Sequence, residues 1–205
     1  MGKVIVDTDF LNHFIKSPNG ENVLNSIVEF FDFDLVMHPW VYDREIKNIF
    51  TPVQQYVDKH IQVYEYNTFI KDDDDEYLYA VTFKSLYEAM NNKPIPIDPL
   101  HFRTYKHSGE NLGEIHSIIL SMLMEIPILL SDDHKAKEVA VKRINRDGYI
   151  LDVKKSFDLL CEVISKDKTI INKSDALSFV NGLRDYRPQD HKYRERTIKN
   201  LYNEL

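Results

Sequence analysis

Two short apolar runs, Val4-Ile5-Val6 and Ile128-Leu129-Leu130, both end in acids: Asp7 directly after the first, Asp132-Asp133 one residue after the second. Runs this short, aliphatic and without helical period read as strands buried on both faces, the habit of a parallel sheet. The segments around them are amphipathic. Leu24, Ile27, Val28 and Phe31 follow the i, i+3, i+4, i+7 spacing of one buried helix face. Strands alternating with such helices predict a three-layer α/β/α sandwich with a mainly parallel central sheet.

The remaining elements follow from the same pattern. Helices are expected over 9–16 and 21–31, with a turn at Ser17-Pro18-Asn19-Gly20 between them. A second strand spans 34–37, and Pro39 suits the first turn of a helix carrying Val41, Glu45, Ile46 and Ile49. A further helix precedes a strand within 61–66. Five adjacent acids, Asp72-Asp73-Asp74-Asp75-Glu76, read as a solvated loop. A long helix over 77–90 leads into 91–108, which holds three prolines and reads as irregular. Helices over 113–125 and 135–144 flank the second acid-ended strand, 149–151 is a last short strand, and the rest is helical. The expected organisation is a domain over 1–150 with an insert at 52–110, and a C-terminal helical extension over 151–205 packed on it.

Composition narrows the class. At 205 residues the chain can bury roughly 70% of its unfolded surface in one core. A single cysteine, Cys161 in the apolar run FDLLCEVI, excludes a disulfide framework and reads as a core thiol. No apolar run approaches the ~20 residues of a membrane span, and the chain opens straight into a strand, so the cytoplasm is expected. A net charge of −7 argues against a general nucleic-acid coat but leaves room for a local basic patch.

In open α/β sheets ligands bind at the carboxyl ends of the strands. Acids from two strands meeting there repel unless a cation or a shared proton offsets them. The plainer reading is that Asp9 and Asp132 or Asp133 cap the helices that follow. The residues also resemble a family. Ile5-Val6-Asp7-Thr8-Asp9-Phe10-Leu11 is similar to the opening strand and first catalytic aspartate of PIN domains. The stretch from Gly113 to Ala140, GEIHSIILSMLMEIPILLSDDHKAKEVA, resembles the PIN subgroup with a Gly-Glu helix start, a buried helix, a strand and an Asp-Asp pair. Between them His38-Pro39-Trp40-Val41-Tyr42-Asp43-Arg44-Glu45-Ile46 resembles the family's second acidic motif. The resemblance covers about residues 3–145, and 52–110 is longer than the minimal pattern.

That resemblance implies a Mg²⁺- or Mn²⁺-dependent nuclease acting on RNA, of the toxin type in a toxin–antitoxin pair or a phage-defence factor. Asp7 would be the central ligand, with Glu114 and Asp132 or Asp133 completing the shell and Glu45 direct or through water. Thr8 would hydrogen-bond a ligand carboxylate or act as an ordinary cap. Hard carboxylate oxygens suit these cations. The helix over 135–144 follows the Asp-Asp pair and carries Lys135, Lys137, Lys142 and Arg143, which with Arg146 could hold a phosphate backbone or form a solvated face. A second basic stretch lies at 191–196. His116 reads as a surface histidine. Candidate partners are the RNA, an antitoxin protein and a second copy of the chain. Two other readings compete: a haloacid-dehalogenase-like phosphatase with Asp7 as nucleophile and Asp9 as general acid, which leaves Glu45 and Glu114 without a role, and an inactive PIN-like binding module.

Overall fold

The computed structural model describes residues 2–47, 51–107, 109–145, 149–183 and 188–203. Strand β1 (Gly2–Val6) is followed by α1 (Thr8–Ile15) and α2 (Gly20–Phe31), then β2 (Phe33–Met37). Helix α3 (Pro39–Val41) runs on into a π turn, Tyr42–Ile46, in which the Lys47 N–H donates to the Tyr42 carbonyl at 2.8 Å. Next come α4 (Thr51–His60), β3 (Gln62–Val63), α5 (Tyr66–Phe69) and α6 (Asp73–Asn91). A 3₁₀ turn, Pro99–His101, interrupts the irregular stretch before α7 (Leu112–Leu123) and β4 (Ile128–Leu130). Helix α8 (His134–Val139) also continues as a π turn, Ala140–Ile144. The chain closes with β5 (Asp152–Lys154), α9 (Ser156–Lys166), α10 (Lys173–Gly182) and α11 (Pro188–Asn203).

All five strands are parallel, in the order β3-β2-β1-β4-β5. Val4, Ile5, Val6, Val36, Leu129 and Leu130 are buried, as strands covered on both faces must be. One face is covered by α3, α6, α7 and α8, which pack on one another; the other by α1, α2, α9 and α10, with α11 outside α9 and α10. Helix α7 is apolar nearly all round and accordingly lies against β1 and β4 at the centre of its layer. The fold is therefore the expected three-layer sandwich with C-terminal helices. No helix among the described residues is long and apolar enough to cross a membrane.

Several local expectations are corrected. The acids at 72–76 are not a loop: Asp72 caps α6, accepting from the Asp75 N–H at 3.0 Å, and the next four acids form the first turn. Negative charge there complements the helix dipole, so a run that reads as disordered is a strong helix start. The last strand is Asp152–Lys154 rather than 149–151, so the sheet's edge strand lies within the segment read as an extension. The strand in 61–66 shrinks to Gln62–Val63. The helices expected to carry Glu45 and to span 135–144 are each part α and part π. Cys161 is only partly buried, and burial pushes its thiol up to about 12. Ile49 and Arg146 lie outside the described residues.

Candidate functional site

The chain runs outward from β1 through β2 to β3, then returns to place β4 and β5 on the other side of β1. After β1 it enters the α1 layer; after β4 it enters the α8 layer. Such a reversal opens a crevice between the two strands' carboxyl ends, where ligands bind in open α/β sheets. Asp7 and Ser131 are neighbours at that edge: the Asp7 N–H donates to the Leu130 carbonyl at 3.0 Å, and the Ser131 N–H to the Lys154 carbonyl at 3.1 Å.

A cleft of about 630 Å³ opens here, and Asp7, Asp9, Glu45, Glu114 and Asp133 all line it, with Thr8, Asn12, Arg44 and Lys106. Asp7 is 1% exposed. It occupies the N-cap position of α1, the place assigned by the sequence to Asp9, yet makes no side-chain cap bond. Its Oδ2 takes one long hydrogen bond from Ser131 Oγ at 3.4 Å, and its Oδ1 is buried with no partner among the described residues. The amide oxygen of Asn12 is in the same state.

Glu45 is held from two sides. Thr8 Oγ1 donates to its Oε2 at 2.6 Å, and the N–H of Gly113 points at the same carboxylate. A Cβ at position 113 would stand 2.6 Å from Glu45 Oε1, so glycine here is the space that Glu45 occupies. The Gly-Glu start of α7 thus docks one acid at residue 113 and supplies the next at 114.

The two aspartates after β4 part company. Asp133 lines the cleft and also caps α8, its Oδ1 accepting from the Lys135 N–H and, at 3.0 Å, from the Ala136 N–H. Asp132 is not brought to the cleft. Its Oδ2 meets the His13 ring at 2.6 Å and its Oδ1 accepts from the Ser156 N–H at 3.0 Å, which ties α1 and α9 to the end of β4.

The electrostatics agree with clustering. Burial first, and then the Glu114 and Glu45 charges, hold the Asp7 carboxyl well above its ordinary value. Burial raises Glu45 too, against the Thr8 hydrogen bond. Glu114 is pushed up to about 8, chiefly by burial and further by Glu45, while its own backbone N–H opposes the rise. Carboxylates whose ionised forms are disfavoured by burial and by one another, beside the unpartnered Asp7 Oδ1 and Asn12 amide oxygen, suit a hard divalent cation in kind. Among the described residues no three His, Cys, Asp or Glu side chains already converge as a ligand set; the carboxylates face one space without closing on it.

The expected basic residues lie elsewhere. Lys135 and Arg143 line a separate groove of about 760 Å³ with Lys84 and Lys142, and Lys137 lines a shallow depression with His134 and Val141. The 191–196 stretch is on α11, where the Arg194 guanidinium sits 5.0 Å from the Phe157 ring centroid. His116 is buried rather than on the surface. It stacks between Trp40 and His38, and its Nδ1 meets Tyr79 Oη at 2.5 Å. The cleft's own cations are Arg44, in the middle of Asp43-Arg44-Glu45, and Lys106, in the irregular stretch 91–108; nothing in the local sequence marks either as facing the acids. Asp9 joins the cleft's acids rather than capping α1, and Asn12 carries no sequence signal at all. Compared with protein-family models, curated proteins and solved structures, the chain finds no match.

Proposed function

We propose that this chain is a divalent-metal-dependent nuclease of the PIN type that hydrolyses phosphodiester bonds in RNA. The observation that carries this reading is the gathering of Asp7, Glu45, Glu114 and Asp133 around one cleft at the switch point of a parallel sheet. Mg²⁺ or Mn²⁺ would be held by Asp7, Glu114 and Asp133, with Glu45 direct or through water; Asp132 is spent on His13 and Ser156. When bound, such an ion supplies Lewis acidity towards a phosphoryl oxygen and a water.

The protein's part is orientation and charge. Ser131 and the buried setting fix Asp7, Thr8 and the Gly113 N–H fix Glu45, and the α8 cap fixes Asp133. Asp7, Glu45 and Asp133 thus reach the cleft already oriented. In the absence of a cation Glu114 holds its proton at neutral pH, because its folded value is about 8.

The test is cleavage of labelled single-stranded RNA by purified protein in Mn²⁺. Asp7→Asn and Glu114→Gln should each lower the rate by at least about a hundredfold while leaving RNA binding intact or slightly tighter, since negative charge is removed. Cleavage that persists in Asp7→Asn sinks the reading. Turnover of a small phosphomonoester, lost in Asp7→Asn with no action on RNA, would transfer the site to phosphatase chemistry.

A further inference from the structure

One wall of the acid cleft comes from outside the sheet. Lys106, His107, Gly109, Glu110 and Asn111, in the segment between α6 and α7, line it together with Leu112 at the start of α7. The wall is firmly attached. Trp40 Nε1 donates to the Tyr105 carbonyl at 3.0 Å, Tyr105 Oη donates to Glu110 Oε2 at 2.6 Å, and Asn91 Nδ2 donates to the Glu110 carbonyl at 2.9 Å. Glu110, with its side chain 5% exposed, also pairs with Lys93. Its carboxylate is therefore committed to anchoring, and it is not a sixth acid for the cation. Gly109, at φ +78°, makes a turn in this wall that a side chain would strain.

This anchored wall presents Lys106 to the cleft, and the π turn that carries Glu45 presents Arg44. Both side chains are exposed, and among the described residues neither pairs with a carboxylate, although acids line the same cleft. Their charge remains available to an outside anion. The larger groove beside α8 is a separate place, lined by none of the cleft acids, and Lys142 there is already paired with Glu138. Successive phosphates of a strand are one nucleotide apart, so the neighbours of a phosphate at Asp7 must lie on this cleft's rim. Asp7 itself is almost fully buried, and a single strand can feed one phosphate to that depth where a closed duplex cannot.

Resting on the nuclease reading, we infer that Arg44 and Lys106 grip the phosphates flanking the scissile one, making the wall that holds Tyr105, Lys106, Glu110 and Asn111 the substrate-positioning element for single-stranded nucleic acid. A grip on phosphates carries no sequence preference of its own.

The experiment compares wild type, Arg44→Ala, Lys106→Ala, Lys106→Arg and the pair Lys135→Ala with Arg143→Ala. The probe is a short fluorescein-labelled single-stranded RNA, titrated without divalent ions over a range of KCl and then cleaved in Mn²⁺. Arg44→Ala and Lys106→Ala should each weaken binding about fivefold and reduce the salt slope by ~0.7, one single-strand phosphate contact. Each should raise KM with kcat within about twofold, because remote binding rather than chemistry is lost. Lys106→Arg should restore most of the affinity. Unchanged slopes in both alanine variants, a larger loss in the Lys135/Arg143 pair, or equal binding of a blunt duplex would overturn the inference. The nuclease reading is judged separately by Asp7→Asn: cleavage that needs Asp7 but ignores Arg44 and Lys106 removes only the positioning role.

Discussion

Asp132 accepts from the Ser156 N–H and faces His13, whereas Asp133 caps α8 and lines the acid cleft. One residue of separation turns the two carboxylates in different directions as the chain leaves β4. Replacing them should therefore fail in different ways. Asp132→Ala leaves a backbone donor and an imidazole without their acceptor, at a cost of about 1–3 kcal/mol, and the protein should keep its thermal response to Mn²⁺. Asp133→Ala should lose about 1 kcal/mol of cap and most of that response. Asp133→Ser separates the two effects, since serine caps as well as aspartate but brings no charge: stability should return and the metal response should not. Equal Mn²⁺ responses in Asp132→Ala and Asp133→Ser would show that Asp133 is not a ligand.

At the level of elements, the sequence was most legible where burial and period coincide. Both acid-ended strands, the alternation with helices and the buried α7 could be read because a parallel sheet demands apolar strands and α7 has no wet face. The insert was opaque. It builds a cleft wall from Tyr105, Glu110 and the adjoining Asn111, held by Lys93 and Asn91 from earlier in the insert and by Trp40 from outside it, contacts that no local pattern marks. The same limit hid His116. Its place in the first turn of α7 suggests solvent, but α6 covers it. His38 Nδ1 accepts from the Trp40 N–H, so its Nε2 carries the proton and donates to Tyr79 Oη, which in turn donates to His116 Nδ1. Burial lowers His116 to about 3, and burial with His116 beside it holds His38 well below its usual range, so the relay stays neutral. It links the end of β2 to α6 and α7 beneath Trp40 of the cleft. Tyr79→Phe removes the bridging hydroxyl with little change of shape. The unfolding free energy should fall by about 1–3 kcal/mol at pH 7, with two buried ring nitrogens left unpaired. A loss below a few tenths of a kcal/mol would mean the rings pack without needing the bridge.

For the whole molecule, the switch point sets a conflict between folding and charge. The sheet must bring the ends of β1 and β4 together, and the acids placed there are desolvated as the layers close over them. Glu114 shows the sign. Its folded value of about 8 lies above its ordinary 4.5, so between those limits the folded state binds more protons than the unfolded one. Stability without metal is then full below about 4.5, falls as pH rises through that window, and levels off above 8. Glu114→Gln cannot ionise, so without metal it should be flatter across the window and more stable than wild type at pH 8. A divalent cation cancels that slope, because it binds the ionised acids and displaces their protons: apparent affinity should rise about tenfold per pH unit for each proton released, then flatten above 8. The measurement is the unfolding midpoint from pH 5 to 9, in EDTA and in saturating Mn²⁺, for wild type and Glu114→Gln. Parallel curves for the two proteins in EDTA would mean that Glu114 ionises freely in the folded state. A Mn²⁺ shift independent of pH would place the ion away from these carboxylates.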